Sequence, residues 1–333
     1  MPVYISKSEY PKTLTGNVSL RVASLLVAAS LSAGTAFAQT WPAKPVRWIV
    51  PFPAGGPADV IARTVGPKLS ERLGQPVLID NRAGGNSNIG HEAVARSAPD
   101  GYTFLYVVPN IVTNPSLFKN MIDPLKDLAP LAQMTVQSYA LVANPAFAPK
   151  TVAEIIAAAR AKPGSVTCAS GGGLMTFGCE WLRTTTKTEI VHVQYKGNAP
   201  ALTDLLGGQV NILFDLYNTS LPQIRAGKIR PVALTRATRG LPLPDVPVIA
   251  ETLPGFVLVG WHGAMLPVGV PQPIVAKLNQ ALGEALADKD VAKRISDGYS
   301  EVAHTSPEAF GEILREDYAK YARIVKEAGI KPE

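Results

Sequence analysis

Three glycine-rich segments stand where a chain could bind an anion. They occupy residues 53–57, 83–87 and 170–173, and a fourth strand–helix turn follows at 195–198. Each leads from an apolar run into a helical pattern, which exposes backbone N–H groups and the positive end of a helix dipole. One such segment alone could be a plain tight connection, but four at like ends of predicted strands indicate an anion site. A charge-assisted hydrogen bond contributes about 1.5 to 3 kcal/mol, so three or four on one carboxylate would support micromolar binding.

The same segments do not match cofactor, metal or enzyme motifs. A G-x-G-x-x-G pattern would need a glycine where Thr176 stands, and the chain has no G-x-x-x-x-G-K-[ST]. The four histidines show no metal-ligand spacing. We therefore expect no cofactor, no metal ion and no catalytic residue. The alternative from another class is an exported serine hydrolase with Ser87 or Ser170 as nucleophile, although G-x-S-x-G fails because Ile89 replaces the second glycine.

The elements around these segments alternate between strand and helix. An apolar strand from Val46 to Phe52 precedes a helix from about Ala58 to Leu73, and a second strand and helix follow at once. Alternation of this kind predicts an α/β fold with mostly parallel sheets, in which ligands sit at the carboxyl ends of the strands. Two C-terminal helices are predicted as well, from Pro271 to Ala287 and from a Ser306 cap to a Gly329 stop.

The length predicts two lobes. The roughly 295 residues after Ala38 are more than one hydrophobic core usually serves. The strand–helix alternation restarts near Asn144. A Pro- and Gly-rich stretch at 239–273 suits a chain that crosses back from the second lobe to the first. We expect residues 39–143 plus 262–333 to form lobe 1 and residues 144–261 to form lobe 2.

The N-terminus predicts export. Residues 1–38 combine three basic residues, an apolar core at 22–31 and the A-x-A sequence that ends at Ala38, which is typical of a signal peptide cleaved after that residue. A retained membrane anchor is the alternative, but the apolar core is short for a spanning helix. In an oxidising compartment Cys168 and Cys179 could form a disulfide or remain two buried thiols.

The charge distribution argues against nucleic-acid binding. The net charge is +6, but the basic residues are scattered singly rather than arranged in stripes with aromatic residues. A mild positive balance would favour an anionic small ligand, and it also serves solubility.

Several longer motifs resemble one family, the tripartite tricarboxylate transporter receptors, also called Bug or TctC-like proteins. The resemblance covers residues 41 to about 330. The motifs are W-P-A-K-P-V-R-W-I-V-P-F-P-A-G-G (41–56), L-G-Q-P-V-L-I-D-N-R-A-G-G-N-S-N-I-G (73–90), A-P-D-G-Y-T (98–103), V-H-V-Q-Y-K-G (191–197), A-L-T-D-L-L-G-G-Q-V (201–210) and L-P-D-V-P (243–247).

The resemblance implies a two-lobed periplasmic binding protein of the type II, Venus-flytrap kind, which captures a small carboxylate and delivers it to membrane transporter subunits. It implies a location in the periplasm, and we expect a monomer. A ligand-sensing partner of a membrane sensor would share the same cleft and is a further alternative. The ligand-binding positions it implies are Phe52, Ala54, Gly55, Gly56, Asp59, Gly84, Gly85, Asn86, Ser170, Gly171, Gly172, Tyr195, Lys196 and Asp215. Asp59 could instead cap its helix, and Tyr195 and Lys196 could form a solvated turn.

This chain departs from the family pattern in its loops. Where the family usually has G-G-G-T-D, this chain has Pro57 and Ala58 before Asp59 and so loses a hydroxyl and an N–H. Beyond the third glycine segment Leu174 and Met175 replace a polar residue. These changes predict a less polar pocket and a carboxylate with an apolar or aromatic body.

Overall fold

The protein is described by a computed structural model that covers residues 1–4, 41–240, 243–298 and 300–332. The signal peptide predicted for residues 1–38 lies outside the described residues apart from its first four. The helices and strands below belong to one compact unit, Lys44–Glu333. Within the described ranges, no helix combines the length and the apolar character that crossing a membrane requires.

The first group of strands is parallel. It contains β1 (Val46–Val50), β2 (Val77–Asn81) and β3 (Thr103–Val107), with β1 in the middle. The helices that follow are α1 (Pro57–Leu73), α2 (Asn88–Ala95), α3 (Asn110–Leu117) and α4 (Pro124–Asp127), and a 3₁₀ turn covers Gly85–Ser87. Every residue of β1 except Arg47 is buried, as expected for a strand with helices on both faces.

The second group repeats this arrangement. It contains β5 (Thr167–Ser170), β6 (Val191–Gln194) and β7 (Ile212–Leu216), again parallel, with β5 in the middle. Its helices are α5 (Val152–Ala161), α6 (Leu174–Thr186), α7 (Asn198–Leu206) and α8 (Tyr217–Arg225). The α/β fold with mostly parallel sheets, predicted from the alternation of elements, is confirmed.

One long strand joins the two groups. Strand β4 (Leu128–Ala143) pairs with β9 (Val259–Pro267) and β10 (Glu301–Val302) along its first part, and with β7 and β8 (Arg230–Leu234) along its second part. The resulting strand order is β2-β1-β3-β9-β4-β7-β5-β6. The boundaries of the two lobes remain a prediction.

This topology turns the carboxyl ends of both groups toward the same place. Strand β4 points the same way as β3, because both are antiparallel to β9. Ser138 pairs with Val259 in the first part of β4, and the next residue, Tyr139, pairs with Leu216 at the end of β7. The parallel strands of the two groups therefore end on opposite sides of the Ser138–Tyr139 junction.

The C-terminal helices return to the first group. They are α9 (Gln272–Leu286), α10 (Lys289–Asp297) and α11 (Pro307–Ala328). Helices α9 and α11 confirm the two predicted C-terminal helices, and Ser306 caps α11 through its hydroxyl while Gly329 ends it in the left-handed conformation. Helix α11 packs against α3, β4 and α6, so it contacts the joining strand and one helix from each group.

A disulfide joins Cys168 in β5 to Cys179 in α6. Both cysteines are fully buried. Of the two states left open by the sequence, the structure has the bonded one, and the bridge encloses the third glycine segment.

Two buried histidines predict a pH-dependent stability. Burial lowers the pKa of His91 and of His262 to about 4, so in the folded protein both stay neutral down to that pH. The unfolded chain binds their protons below about pH 6.5, so the free energy of unfolding should fall as the pH drops from about 6.5 to 4. Each histidine contributes up to about 3 kcal/mol to this fall. Urea unfolding at about pH 7 and about pH 4.5 measures it. The His91→Gln variant should show a smaller difference between the two pH values, and an equal difference would contradict the assignment.

Candidate functional site

The first loop, residues 53–57, is closed by Asp59. The carboxylate of Asp59 accepts the backbone N–H of Gly55 at 2.8 Å and the Arg63 Nε–H at 2.9 Å. The hydrogen bond from Arg63 is the largest influence on Asp59 and lowers its pKa to about 2, against the opposing effect of burial. Asp59 is 3% exposed, so its carboxylate stabilises the loop from behind.

Asn81, the last residue of β2, ties the first loop to the neighbouring strand. Its Nδ2 donates to the carbonyl of Phe52 at 3.1 Å and to Asp59 Oδ1 at 2.9 Å, while its Oδ1 accepts from Arg63 at 3.0 Å. Sequence reasoning missed Asn81 as a site residue. The available signal was its place at the carboxyl end of a strand parallel to β1. Ala54 and Gly55 stay exposed above this support.

The second loop, residues 84–87, has an unusual backbone. Gly84, Gly85, Asn86 and Ser87 all have positive φ, although two of them are not glycine. Non-glycine residues are strained in this region and persist where the surroundings hold them, often at functional sites.

Helix α3 supplies that hold. Asn114 Nδ2 donates to the carbonyl of Asn86 at 2.7 Å, and Asn110 Nδ2 donates to Ser87 Oγ at 2.9 Å. Gly84, Gly85 and Asn86 are exposed, whereas Ser87 is buried. Asn110 and Asn114 were also missed from the sequence, because their partners depend on β3 lying beside β1.

The third loop, residues 170–173, lies directly against the turn at 195–198. A Cβ on Gly171 would stand 2.7 Å from the backbone N and Cα of Asn198. Real Cβ atoms do not approach this closely, so only glycine fits. The N–H of Tyr195 donates to the carbonyl of Ser170 at 2.9 Å. The structure therefore brings the predicted Ser170, Gly171 and Tyr195 together.

Asp215 organises the turn after β7. Its carboxylate accepts from Asn198 Nδ2, from Thr219 Oγ1 at 2.8 Å, from Ser220 Oγ and from the backbone N–H of Leu216 at 2.8 Å. Burial raises the pKa of Asp215, and these hydrogen bonds oppose that rise. Like Asp59, this predicted ligand residue has its oxygens occupied by the protein.

Three side chains, linked by hydrogen bonds, hold the first residue of the third loop. Ser170 Oγ lies 2.8 Å from His192 Nε2, and His192 Nδ1 lies 2.8 Å from Glu180 Oε1. Arg183 donates to the other Glu180 oxygen at 2.6 Å. Because a carboxylate accepts hydrogen bonds, Nδ1 of His192 carries a proton, and in the neutral ring Nε2 accepts from Ser170. His192 and Glu180 were not predicted as site residues.

The predicted side-chain contacts Tyr195 and Lys196 differ from each other. The Tyr195 hydroxyl donates to Asp204 Oδ2 at 2.6 Å, and this hydrogen bond is the main reason that its pKa rises to about 12. Lys196 is exposed. Asp204 thus holds the Tyr195 side chain within the turn. Lys196 carries a positive charge on the surface, where an anion can reach it.

The helices that start at these loops lack side-chain caps. No side-chain cap hydrogen bond forms at the N-cap residues of α1, α2, α6 and α7, which are Gly56, Ser87, Gly173 and Gly197. Acidic or hydroxyl side chains cap α4, α5, α10 and α11, namely Asp123, Thr151, Asp288 and Ser306, whereas α3, α8 and α9 are uncapped as well. At the four loops, therefore, no N-cap side chain competes with an outside acceptor, such as an anion, for the first-turn N–H groups.

One cavity is lined by side chains that hold the second loop and by side chains that hold the third loop. Asn110 and Asn114, which hold the second loop, line a cavity of about 340 Å³ together with Thr176 and His192, which contact Ser170. Residues from both groups of strands thus face a common space. No cluster of metal-ligating side chains occurs among the residues described.

Parallel strands in two groups, with their carboxyl ends turned toward one junction, define the two-lobed fold of periplasmic binding proteins. Solved structures agree. Rpa4515 of R. palustris with adipate is 33% identical, with a TM-score of 0.70 and coverage of 88% of this chain and 100% of that one. MatC from Rhodopseudomonas palustris with bound malate is 31% identical, with a TM-score of 0.67 and coverage of 86% and 100%.

The chain belongs to the tripartite tricarboxylate transporter family receptors, known as TctC. The sequence model of that family matches residues 61–330. Protein BugT of Bordetella pertussis is 34% identical over 321 residues, which are 94% of this chain and 98% of BugT. The resemblance seen in the sequence motifs is confirmed, and the family consists of receptors rather than enzymes.

The support of the first loop can be tested at Asp59. A pKa lowered from 3.8 to about 2 corresponds to about 2 kcal/mol of stability, present above the unfolded pKa and lost as the pH falls through about 2. Asp59→Asn should lower the free energy of unfolding by about 2 kcal/mol at neutral pH, and its difference from the parent should shrink toward pH 2.

Denaturant unfolding measures both effects, and Asp245→Asn is the matched control because Asp245 is exposed and outside this cluster. A loss no larger than the control's would show that Asp59 does not stabilise the loop.

Proposed function

We propose that this protein is a periplasmic receptor that captures a small carboxylate and delivers it to a tripartite tricarboxylate-type membrane transporter. The observation that carries the proposal is the set of four uncapped helix N-termini at like ends of the parallel strands. The adipate and malate bound to the two related structures support a carboxylate as ligand. The fourteen positions expected to bind it remain a proposal.

Backbone N–H groups hold the carboxylate in this proposal. Asp59 and Asp215 would repel an anion if they faced it, but their oxygens are occupied by hydrogen bonds within the protein. The exposed Gly84, Gly85 and Asn86 of the second loop and the glycines of the third loop offer donors instead. Lys196 adds a positive charge at the rim.

Ligand capture follows from two lobes that meet at β4. A ligand held by the loops of both groups stabilises the closed arrangement, since it makes more contacts there than in an open one. The closed form is then the one that docks on the transporter. We further propose export with cleavage after Ala38, a monomeric state, and function without a cofactor. A role as ligand-sensing partner of a membrane sensor would use the same closure.

The body of the ligand is proposed to be apolar or aromatic. Pro57 and Ala58 place no hydroxyl at the first loop, and Leu174 and Met175 begin α6 beside the third. A thermal-shift panel of aliphatic, aromatic and hydroxylated carboxylates tests this. Stabilisation by citrate-like polyacids alone would contradict an apolar body.

The hydrolase alternative gains one observation, the Ser170–His192–Glu180 chain, whose order resembles a catalytic triad. Ser170 has no exposed surface, however, and its hydroxyl also contacts Thr176, so a substrate carbonyl cannot reach it in this conformation. We expect no turnover of p-nitrophenyl esters. Turnover that Ser170→Ala abolishes would establish the hydrolase instead.

A glycine that packs against the start of α7, Gly171, and one directly after its end, Gly207, provide a matched test of the binding site. Gly171→Ala places a methyl group 2.7 Å from the backbone of Asn198, where overpacking costs about 1 to 3 kcal/mol. The affinity for the acid that stabilises the protein most in the panel should fall about tenfold to a hundredfold. Isothermal titration calorimetry measures the affinity.

Gly207→Ala is the control at the other end of the same helix, because its nearest contact would be an ordinary 3.5 Å. Equal affinities of the two variants would show that the third loop is not part of the binding site.

A further inference from the structure

A second cavity lies beside the first loop, on the side of α1. Its volume is about 280 Å³, close to the lower end for small-molecule sites. Its polar lining comes from the first loop, α1, β4, β9, α10 and the segment after α10, namely Gly55, Thr64, Gln137, His262, Arg294 and Ser300. The cavity therefore borders the first loop, which is proposed to bind the carboxylate.

The charge in this cavity is positive. Arg294 is the only lining residue among those described that is ionised at neutral pH, because no aspartate or glutamate lines the cavity and burial lowers the pKa of His262 to about 4. Arg294 forms no ion pair with a described residue, whereas Arg63 nearby is paired with Asp59. An unpaired guanidinium presents a planar fork of donors that matches a carboxylate.

The rest of the wall is apolar. Val60 and Ile61 of α1 and Ile295 of α10 line it, and Val60 is 54% exposed although it is a large hydrophobic residue. The cavity follows α1 from Pro57 to Thr64, which is roughly 10 Å along the helix axis. Such a wall offers apolar contacts to a short carbon chain.

We propose that this cavity is the subsite for the second carboxylate of an α,ω-dicarboxylate, with Arg294 as the residue that binds it. The first carboxylate is held by the N–H groups of the loops, the methylene chain lies on Val60 and Ile61, and the Arg294 guanidinium pairs with the far end. Arg294 is thus a specificity-determining residue that selects diacids over monoacids. This inference rests on the proposed function.

Isothermal titration calorimetry with matched acids tests the subsite. The probes are the straight-chain dicarboxylates from succinate to suberate and the monocarboxylates of equal chain length. The unmodified protein should prefer the best diacid over its monoacid, and Arg294→Gln should weaken that diacid about tenfold to a hundredfold while leaving the monoacid unchanged. Because Arg294 is exposed and has no ion pair in the described structure, the variant should keep its melting temperature.

Lys293→Gln is the matched control, since Lys293 is an exposed cation one residue away that pairs with Asp297 outside the cavity. It should bind every acid as the unmodified protein does. A diacid preference that survives in Arg294→Gln, or an equal loss in both variants, would overturn the subsite and leave the receptor function standing. Failure of the unmodified protein to bind any of these acids would also overturn the subsite, whereas failure of every acid in the thermal-shift panel would overturn the receptor function.

Discussion

The position of the binding site depends on one strand that serves two sheets. Strand β4 has 16 residues, roughly 50 Å of extended chain, and changes partners between Ser138 and Tyr139. Close packing fixes this junction, because a Cβ on Gly260 would lie 2.8 Å from the Tyr139 hydroxyl. Since every parallel strand is ordered relative to β4, the junction determines where all the strand-end loops point.

Each group of strands contains one buried aspartate that shapes a loop. Asp59 holds the first loop through Gly55 and forms an ion pair with Arg63. Asp215 accepts from amide and hydroxyl donors, and no cation among the described residues pairs with it. Both arrangements satisfy the carboxylate internally. A negative charge close to the proposed anion site is tolerable only because these donors offset it.

Local patterns predicted the elements well and the site in part. Glycine segments, the Ser306 cap and the Gly329 stop depend on neighbouring residues alone, so the sequence was sufficient for them. The continuity of β4 was missed, because the pattern restarts where that strand ends and its partners lie far along the chain. Asn81 and Asn110 were missed for the same reason, since their contacts depend on which strands become neighbours.

The hydrogen-bonded side chains of Ser170, His192 and Glu180 are a clearer example of contacts that the sequence alone does not predict. The parallel register of β5 and β6 places His192 opposite Cys168, two residues before Ser170. Helix α6 then brings Glu180 within 2.8 Å of His192 Nδ1. No spacing in the sequence signals this arrangement. Knowledge of the register between β5 and β6 would have sufficed to find it.

The bridge between Cys168 and Cys179 carries a consequence for how the protein is made. It closes a ring of the chain around the third loop, and such bonds form outside the reducing cytosol. Molecules collected before export therefore carry two thiols, and their third loop is held by the hydrogen bonds of Ser170 without a covalent link to α6. The compartment of maturation, as well as the amino-acid sequence, decides how rigid this part of the receptor is when it first meets its ligand.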